Sequence, residues 1–120
     1  MEHKLSVVII TFNEEQNIER CLTSVKDIAD DIVVVDSYST DNTEAICKKA
    51  GARFFQRQWA GYSEQKNYGN SLALFDWILS LDADEALSDD LKKSIISIKK
   101  DLTAPDFRIC RITNYCGKWI

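Results

Sequence analysis

Apolar and polar positions alternate along this chain in blocks, and the period inside each block changes. Residues 5–10, Leu-Ser-Val-Val-Ile-Ile, form a nearly continuous apolar run. Such a run fits a strand buried on both faces. Thr11-Phe12-Asn13-Glu14-Glu15 follows and predicts a helix start, with Asn13 as N-cap and acidic residues in the first turn. Ile18, Cys21, Leu22 and Val25 then recur at i, i+3, i+4 and i+7, the apolar stripe of one helix. Asp30 and Asp31 break the pattern, and residues 32–35 predict a second strand ending at Asp36. A polar loop over 36–43 leads into a helix through Ala45, Ile46 and Ala50, with Gly51 as its stop. Residues 53–55 read as a short strand, 56–62 as loop, 63–74 as helix and 77–81 as a fourth strand. Ser88 caps an expected helix through Leu91, Ile95, Ile96 and Lys99. Residues 107–112 read as a last strand, with Arg108 and Arg111 in alternation.

The order is therefore β-α-β-α-β-α-β-α-β, without repeat or interdomain linker. It predicts a single α/β domain over residues 1–120, Rossmann-like, with a mostly parallel sheet and helices on both faces. Composition adds bounds. At 120 residues the chain is one domain or less, and 45% hydrophobic content can supply its core. A net charge of −4 argues against a nucleic-acid surface but leaves room for a local phosphate pocket. No apolar run approaches the ~18 residues of a transmembrane segment, and no separate signal peptide precedes the first strand. Cys21, Cys47, Cys110 and Cys116 show no paired metal spacing. They read as reduced thiols of a cytoplasmic protein, the first two packed on helix faces. His3 reads as incidental, and Pro105 as a loop residue. Trp119 and Ile120 need an apolar partner, so the chain is expected to be part of a longer protein.

The chemistry concentrates at strand ends. The fourth strand exits into Asp82-Ala83-Asp84-Glu85, three carboxylates within four residues. Carboxylates at that density repel one another, and a hard divalent cation removes the repulsion. Thr11, Asn13 and Glu14 follow the first strand; Asp36, Ser37 and Ser39 follow the second. In a parallel sheet all three clusters lie on one edge, beyond the strand carboxyl ends, where α/β proteins bind ligands. Asp36 suits a base N–H or a ribose hydroxyl, and the backbone near Thr11–Asn13 could wrap a nucleotide. Lys66 could approach a diphosphate. Asp84 is the first choice of metal ligand, and Asp82 could bind ribose or reach the metal through water. Glu85 fits a supporting or helix-capping place. Each cluster alone also fits a plain turn or helix cap. Neither a Gly-x-Gly-x-x-Gly nor a Gly-Lys-Ser/Thr loop is present, so dinucleotide and P-loop readings lack support.

Four segments, LSVVIITFNEEQNIERCLTSV, DIVVVDSYSTDNTEAICKKAG, QKNYGN and WILSLDADE, resemble in order and spacing the N-terminal half of the family 2 inverting glycosyltransferases of GT-A fold. They cover residues 5 to 85. DSYSTDNT and the terminal RITNYCGKWI are similar to the bacterial lipopolysaccharide-core subgroup. The resemblance implies a nucleotide-diphospho-sugar donor, commonly a UDP-sugar, and a divalent cation, Mn²⁺ or Mg²⁺. It implies that Thr11, Asn13 and Glu14 line the nucleotide site, that Asp36 contacts the base, and that Lys66 stands near the donor. It implies an Asp-x-Asp motif of Asp82 and Asp84, with Asp84 on the metal. Ser37 departs from a commoner second Asp. The acceptor implied is a glycan or lipid-linked hydroxyl, reached from the cytoplasm at the inner face of the membrane when the acceptor is a lipid. The catalytic base is expected beyond residue 120, so the fragment is expected to bind donor with little transfer. The rivals are a nucleotidyltransferase, which normally has a Gly-rich loop after the first strand, and a phosphotransferase, which would carry its Asp-x-Asp there. A non-catalytic nucleotide-binding module is the alternative of a different class.

Overall fold

The computed structural model of the protein describes residues 4–75, 77–100 and 110–111. β1 (Leu5–Thr11) is buried at every position, as its nearly continuous apolar run leads one to expect. The chain continues through α1 (Ile18–Val25), β2 (Asp31–Asp36), α2 (Thr43–Lys49), β3 (Arg53–Gln56) and α3 (Tyr62–Leu72). β4 (Trp77–Asp82), α4 (Asp89–Lys100) and β5 (Cys110–Arg111) follow. The five strands form one sheet in the order β3-β2-β1-β4-β5, every neighbouring pair parallel. The expected α/β class with a parallel sheet is therefore the observed one. Of the strand expected over 107–112, only residues 110–111 are described; Pro105, Cys116, Trp119, Ile120 and His3 lie outside the described residues.

Alternate side chains of the strands feed two cores. Val7, Ile9, Val34, Leu79 and Leu81 pack with Ile18, Cys21 and Val25 of α1, Cys47 of α2 and Ile95 of α4. Val8, Ile10, Val33, Val35 and Ile78 face the other way, toward Tyr68 and Leu72 of α3. Helices thus cover both faces, three on one and α3 alone on the other. α3 comes unusually close to the sheet at Gly69. A Cβ there would collide with Val8 and lie 3.1 Å from Val35. Glycine costs a helix interior about 1 kcal/mol relative to alanine, so the close approach explains its place.

The N-terminal edge of the sheet is held by one buried carboxylate. Asp31 accepts Arg53 Nε at 2.9 Å and Nη2 at 2.9 Å, the Ser6 hydroxyl at 2.9 Å and the Leu74 N–H at 3.0 Å. Arg53 Nη2 also donates to the Leu72 carbonyl at 2.7 Å. These bonds tie β1, β2 and β3 to the end of α3. Burial pushes the Asp31 carboxyl up, but the Arg53 guanidinium and the other donors outweigh it and hold the group below its usual range.

Two boundaries differ from expectation. α1 begins at Ile18 rather than after Asn13. The N–H groups of Asn17 and Ile18 both donate to the Glu14 carbonyl, at 3.0 and 2.8 Å, and close a turn ahead of the helix. Asn13 has φ 50°, the left-handed region, whereas an N-cap takes extended angles. α3 stops at Leu72 because Ala73 turns extended, at ψ 140°. Cys21 and Cys47 are buried and form no disulfide. Burial, reinforced by Asp36 and Glu44, pushes the Cys47 thiol up to about 12.

Candidate functional site

Strand pairing fixes where the polar strand ends meet. Thr11 lies opposite Asp36 in the β1–β2 register, and Ile10 lies opposite Asp82 in the β1–β4 register. The chain runs outward from β1 to β2 and β3, then returns to lay β4 on the other side of β1. Adjacent strands whose connections leave in opposite directions open a crevice at their carboxyl ends. A cleft of about 530 Å³ occupies this position, lined by Ile10, Thr11, Phe12, Glu14, Ser37, Trp59, Tyr62, Asp82, Ala83 and Asp84. Of the residues expected to bind donor or metal, Thr11, Glu14, Ser37, Asp82 and Asp84 come together on this wall. Asn13, Asp36 and Lys66 are not among the lining residues.

The acidic side is a tight turn. The Asp82 N–H donates to Glu85 Oε1 at 2.9 Å, and the Glu85 N–H donates back to the Asp82 carbonyl at 2.9 Å. Glu85 therefore closes the turn rather than capping α4. The Ala83 N–H donates to the Ile10 carbonyl at 3.1 Å, and Arg20 Nη2 to the Asp84 carbonyl at 3.3 Å. Asp84 is exposed, while Asp82 is partly buried and its Oδ1 has no hydrogen-bond partner. Burial pushes the Asp82 carboxyl up; Lys66 opposes this, and Asp84 adds to it. Lys66 thus acts on the acidic turn through its field.

Among the described residues, no group of three or more Asp, Glu, His or Cys side chains could hold a metal ion. Two adjacent carboxylates, one with a buried unpaired oxygen, fit the pattern in which one or two carboxylates share an ion with substrate phosphates and water.

Asn13 and Asp36 join the loops behind the cleft. The Asn13 N–H donates to Ser39 Oγ at 2.7 Å, and Asn13 Oδ1 accepts the Thr40 N–H at 2.8 Å. Ser39 Oγ in turn donates to Asp36 Oδ1, while Asp36 Oδ2 accepts the Ser39 N–H at 2.8 Å and Gln56 Nε2 at 3.3 Å. Glu14 N–H donates to Thr43 Oγ1 at 3.0 Å, extending the same seam. Asp36 is fully buried, its carboxylate engaged from both sides.

Three aromatic wall residues had no place in the sequence reading. Phe12, Trp59 and Tyr62 are 56%, 49% and 61% exposed, and all line the cleft. Trp59 and Tyr62 meet edge to face, with centroids 5.0 Å apart. Their only sequence signal is large aromatics within a polar loop. Gln65 was also missed: fully buried on a polar helix, it donates to Ser37 Oγ at 3.0 Å.

Comparison with known proteins follows the same line. The model of glycosyl transferase family 2 matches residues 6–111. An uncharacterized glycosyltransferase of Rickettsia conorii is 46% identical over 95 residues, covering 79% of this chain and 34% of that protein. One of Rickettsia felis is 49% identical over 92 residues, covering 77% of this chain and 32% of that protein. The chain thus spans about a third of the length of these relatives. Among solved structures, glucosyl-3-phosphoglycerate synthase from Mycobacterium tuberculosis, in complex with Mn²⁺, uridine diphosphate and glucosyl-3-phosphoglycerate, aligns with TM-score 0.61 and 25% identity. The alignment covers 70% of this chain and 36% of that one. The chain belongs to glycosyl transferase family 2 and has the Rossmann-like GT-A fold of its structural neighbours.

Proposed function

We propose that this chain is the donor-binding part of a glycosyltransferase. It takes a nucleotide-diphospho-sugar, a UDP-sugar, with a divalent cation, Mn²⁺ or Mg²⁺. The whole protein transfers the sugar with inversion to an acceptor hydroxyl on a glycan or lipid-linked molecule. The reaction belongs to cell-envelope polysaccharide or lipopolysaccharide synthesis at the cytoplasmic face of the membrane. No helix among the described residues is long and apolar enough to cross a membrane. One observation carries the donor reading: the cleft at the β1–β4 crevice holds two buried polar atoms without partners, Thr11 Oγ1 and Asp82 Oδ1, beside exposed Asp84. Unpaired buried polar atoms are costly, and a site that gains their partners on binding recovers that cost.

In this reading Asp84 and Asp82 hold the cation, and Thr11, Glu14 and Ser37 face the nucleotide. Asn13 and Asp36 hold the two loops in register beside it. Lys66 adds positive potential where the leaving diphosphate gathers charge. A bound divalent ion supplies further stabilisation of that charge. Inversion needs a base opposite the leaving group, and we assign it to the remainder of the whole protein. The chain's span of about a third of its relatives supports this division.

The test is a titration of the chain with UDP, with and without Mn²⁺, followed by amide NMR shifts. Metal-enhanced binding should perturb Thr11, Glu14, Ser37 and Asp82–Asp84 together, and Asp84→Ala should weaken it. Binding indifferent to Mn²⁺ and to Asp84→Ala would overturn the metal assignment, and no binding at all would overturn the donor reading. Efficient sugar transfer by the 120-residue chain alone would refute the division of labour.

A further inference from the structure

We infer that Gln65 aims the Ser37 hydroxyl into the cleft as a hydrogen-bond donor, matched to an oxygen acceptor on the bound nucleoside. The inference rests on the donor-site reading above. It follows from which groups can accept and which can only donate. Arg57 Nη1 lies 3.3 Å from Gln65 Oε1, and a guanidinium has no acceptor, so this end of the amide is the carbonyl. Gln65 Nε2 lies 3.4 Å from the Arg57 carbonyl, which has no donor, so this end is the NH₂. The amide orientation is thus set twice over. The remaining Nε2 proton points at Ser37 Oγ, 3.0 Å away. An amide nitrogen does not accept, so Ser37 must accept here. Its own proton is left for another partner, and no described residue receives it. Ser37 lines the cleft, so the proton is offered to whatever fills it. Gln65 is 0% exposed, which keeps water from competing for the amide.

Gln65 is therefore a positioning residue, and Ser37 the specificity-determining one. An aspartate at position 37 would accept from a ligand N–H or O–H; the Ser37–Gln65 pair donates to a ligand oxygen. That oxygen belongs either to a base carbonyl or to a ribose hydroxyl.

The experiment measures UDP and 2′-deoxy-UDP affinity in the presence of Mn²⁺ by calorimetry, for the wild-type chain, Ser37→Ala, Gln65→Glu and the double variant. Loss of one neutral hydrogen bond predicts a fall in UDP affinity of about 3- to 10-fold for Ser37→Ala. Gln65→Glu keeps the shape but replaces the donating NH₂ with an acceptor, which turns the Ser37 proton away from the cleft. It should show a similar loss, and Ser37→Ala should add nothing in that background. A purely structural role for Gln65 would instead make the two losses multiply, which would overturn the inference. So would Ser37→Ala binding UDP within twofold of wild type, a result independent of whether the Gln65 variant folds. A Ser37→Ala deficit that vanishes with 2′-deoxy-UDP assigns the acceptor to the 2′-hydroxyl; one that persists assigns it to the base or the 3′-hydroxyl. If wild-type chain binds no UDP, the donor reading and this inference fall together. If it binds but Ser37→Ala is silent, only this inference falls.

Discussion

Two carboxylates flanking β1, Asp31 at the N-terminal end of the sheet and Asp82 at the C-terminal end, are treated in opposite ways. At the N-terminal edge, Asp31 receives Arg53, Ser6 and Leu74, and its carboxyl is held below the usual range. At the C-terminal edge, Asp82 has an oxygen with no partner and a carboxyl pushed up by burial, which Lys66 only opposes. Both residues flank the same central strand. The first end has its charge balanced within the fold. The second leaves the balance to something outside it, as a binding site does.

The largest effect that would sharpen this contrast is on ligand binding. Outer partners of metal ligands typically contribute 10- to 100-fold to metal affinity, so removing a direct ligand should cost at least about 100-fold. Asp84→Ala should weaken Mn²⁺-dependent UDP binding by that much, read by calorimetry. Asp84 is exposed, so the urea midpoint should hardly move. A variant that binds normally would remove the metal from this edge.

Asp31→Ala should do the reverse. Losing the buried partner strands the Arg53 guanidinium, the Ser6 hydroxyl and the Leu74 N–H. Removing one member of a buried pair costs about 3–5 kcal/mol. The Arg53 side chain is 36% exposed and can turn to water, so about 2–3 kcal/mol is expected by urea unfolding. UDP affinity of the folded fraction should be unchanged. A matching loss of affinity would mean that the two ends are coupled, and the contrast would lose its meaning.

Gly69→Ala probes the packing that seats α3, and with it Gln65 and Lys66, on the sheet. The added methyl meets Val8 and Val35, and overpacking of this kind costs about 1–3 kcal/mol. If α3 yields by shifting outward, UDP affinity should fall together with stability. A neutral or stabilising result, from the better helix propensity of alanine, would show that Val8 re-packs without cost.

Much of this was legible in the chain. The run over 5–10 announces β1 because burial on both faces leaves only Ser6 to interrupt the apolar residues. The carboxylates after Leu81 announce the binding edge because a strand end is where such a cluster can meet a ligand. What local pattern could not reveal were contacts made across the sequence. Asn13 looks like a helix cap because cap residues are small and polar; its backbone N–H instead donates to Ser39 and its side-chain oxygen accepts from Thr40, 26 and 27 residues away. Gln65 looks like a solvated helix residue because its partners, Ser37 and Arg57, come from the residues just past the ends of β2 and β3. Trp59 looks like loop because nothing near it in sequence says that its loop folds over β1.

The smallest effect tests the contrast through pH. A carboxyl with a lowered folded pKa, such as Asp31, stabilises the fold above the unfolded value of about 3.9 and loses that contribution as pH falls through its folded value. Asp82 has the opposite sign. Between about 3.9 and its raised folded pKa, the folded state holds more of the proton than the unfolded state does. Stability contributed by Asp82 therefore falls as pH rises through that window, and the full penalty is present above the raised folded pKa. Asp82→Asn removes the charge and keeps the shape, so it should raise stability at pH 7 by less than about 1 kcal/mol. The gain should vanish below about pH 3.9, where the wild-type group is protonated in both states. Mn²⁺ with UDP should reverse the ranking, because only the charged wild-type group gains a counter-ion on binding. Urea midpoints at pH 7 and at pH 3.5, each with and without Mn²⁺ and UDP, read all of this. A variant less stable than wild type at both pH values, ligand absent, would mean that the Asp82 oxygen already has a partner in the fold, and the two ends of the sheet would be alike.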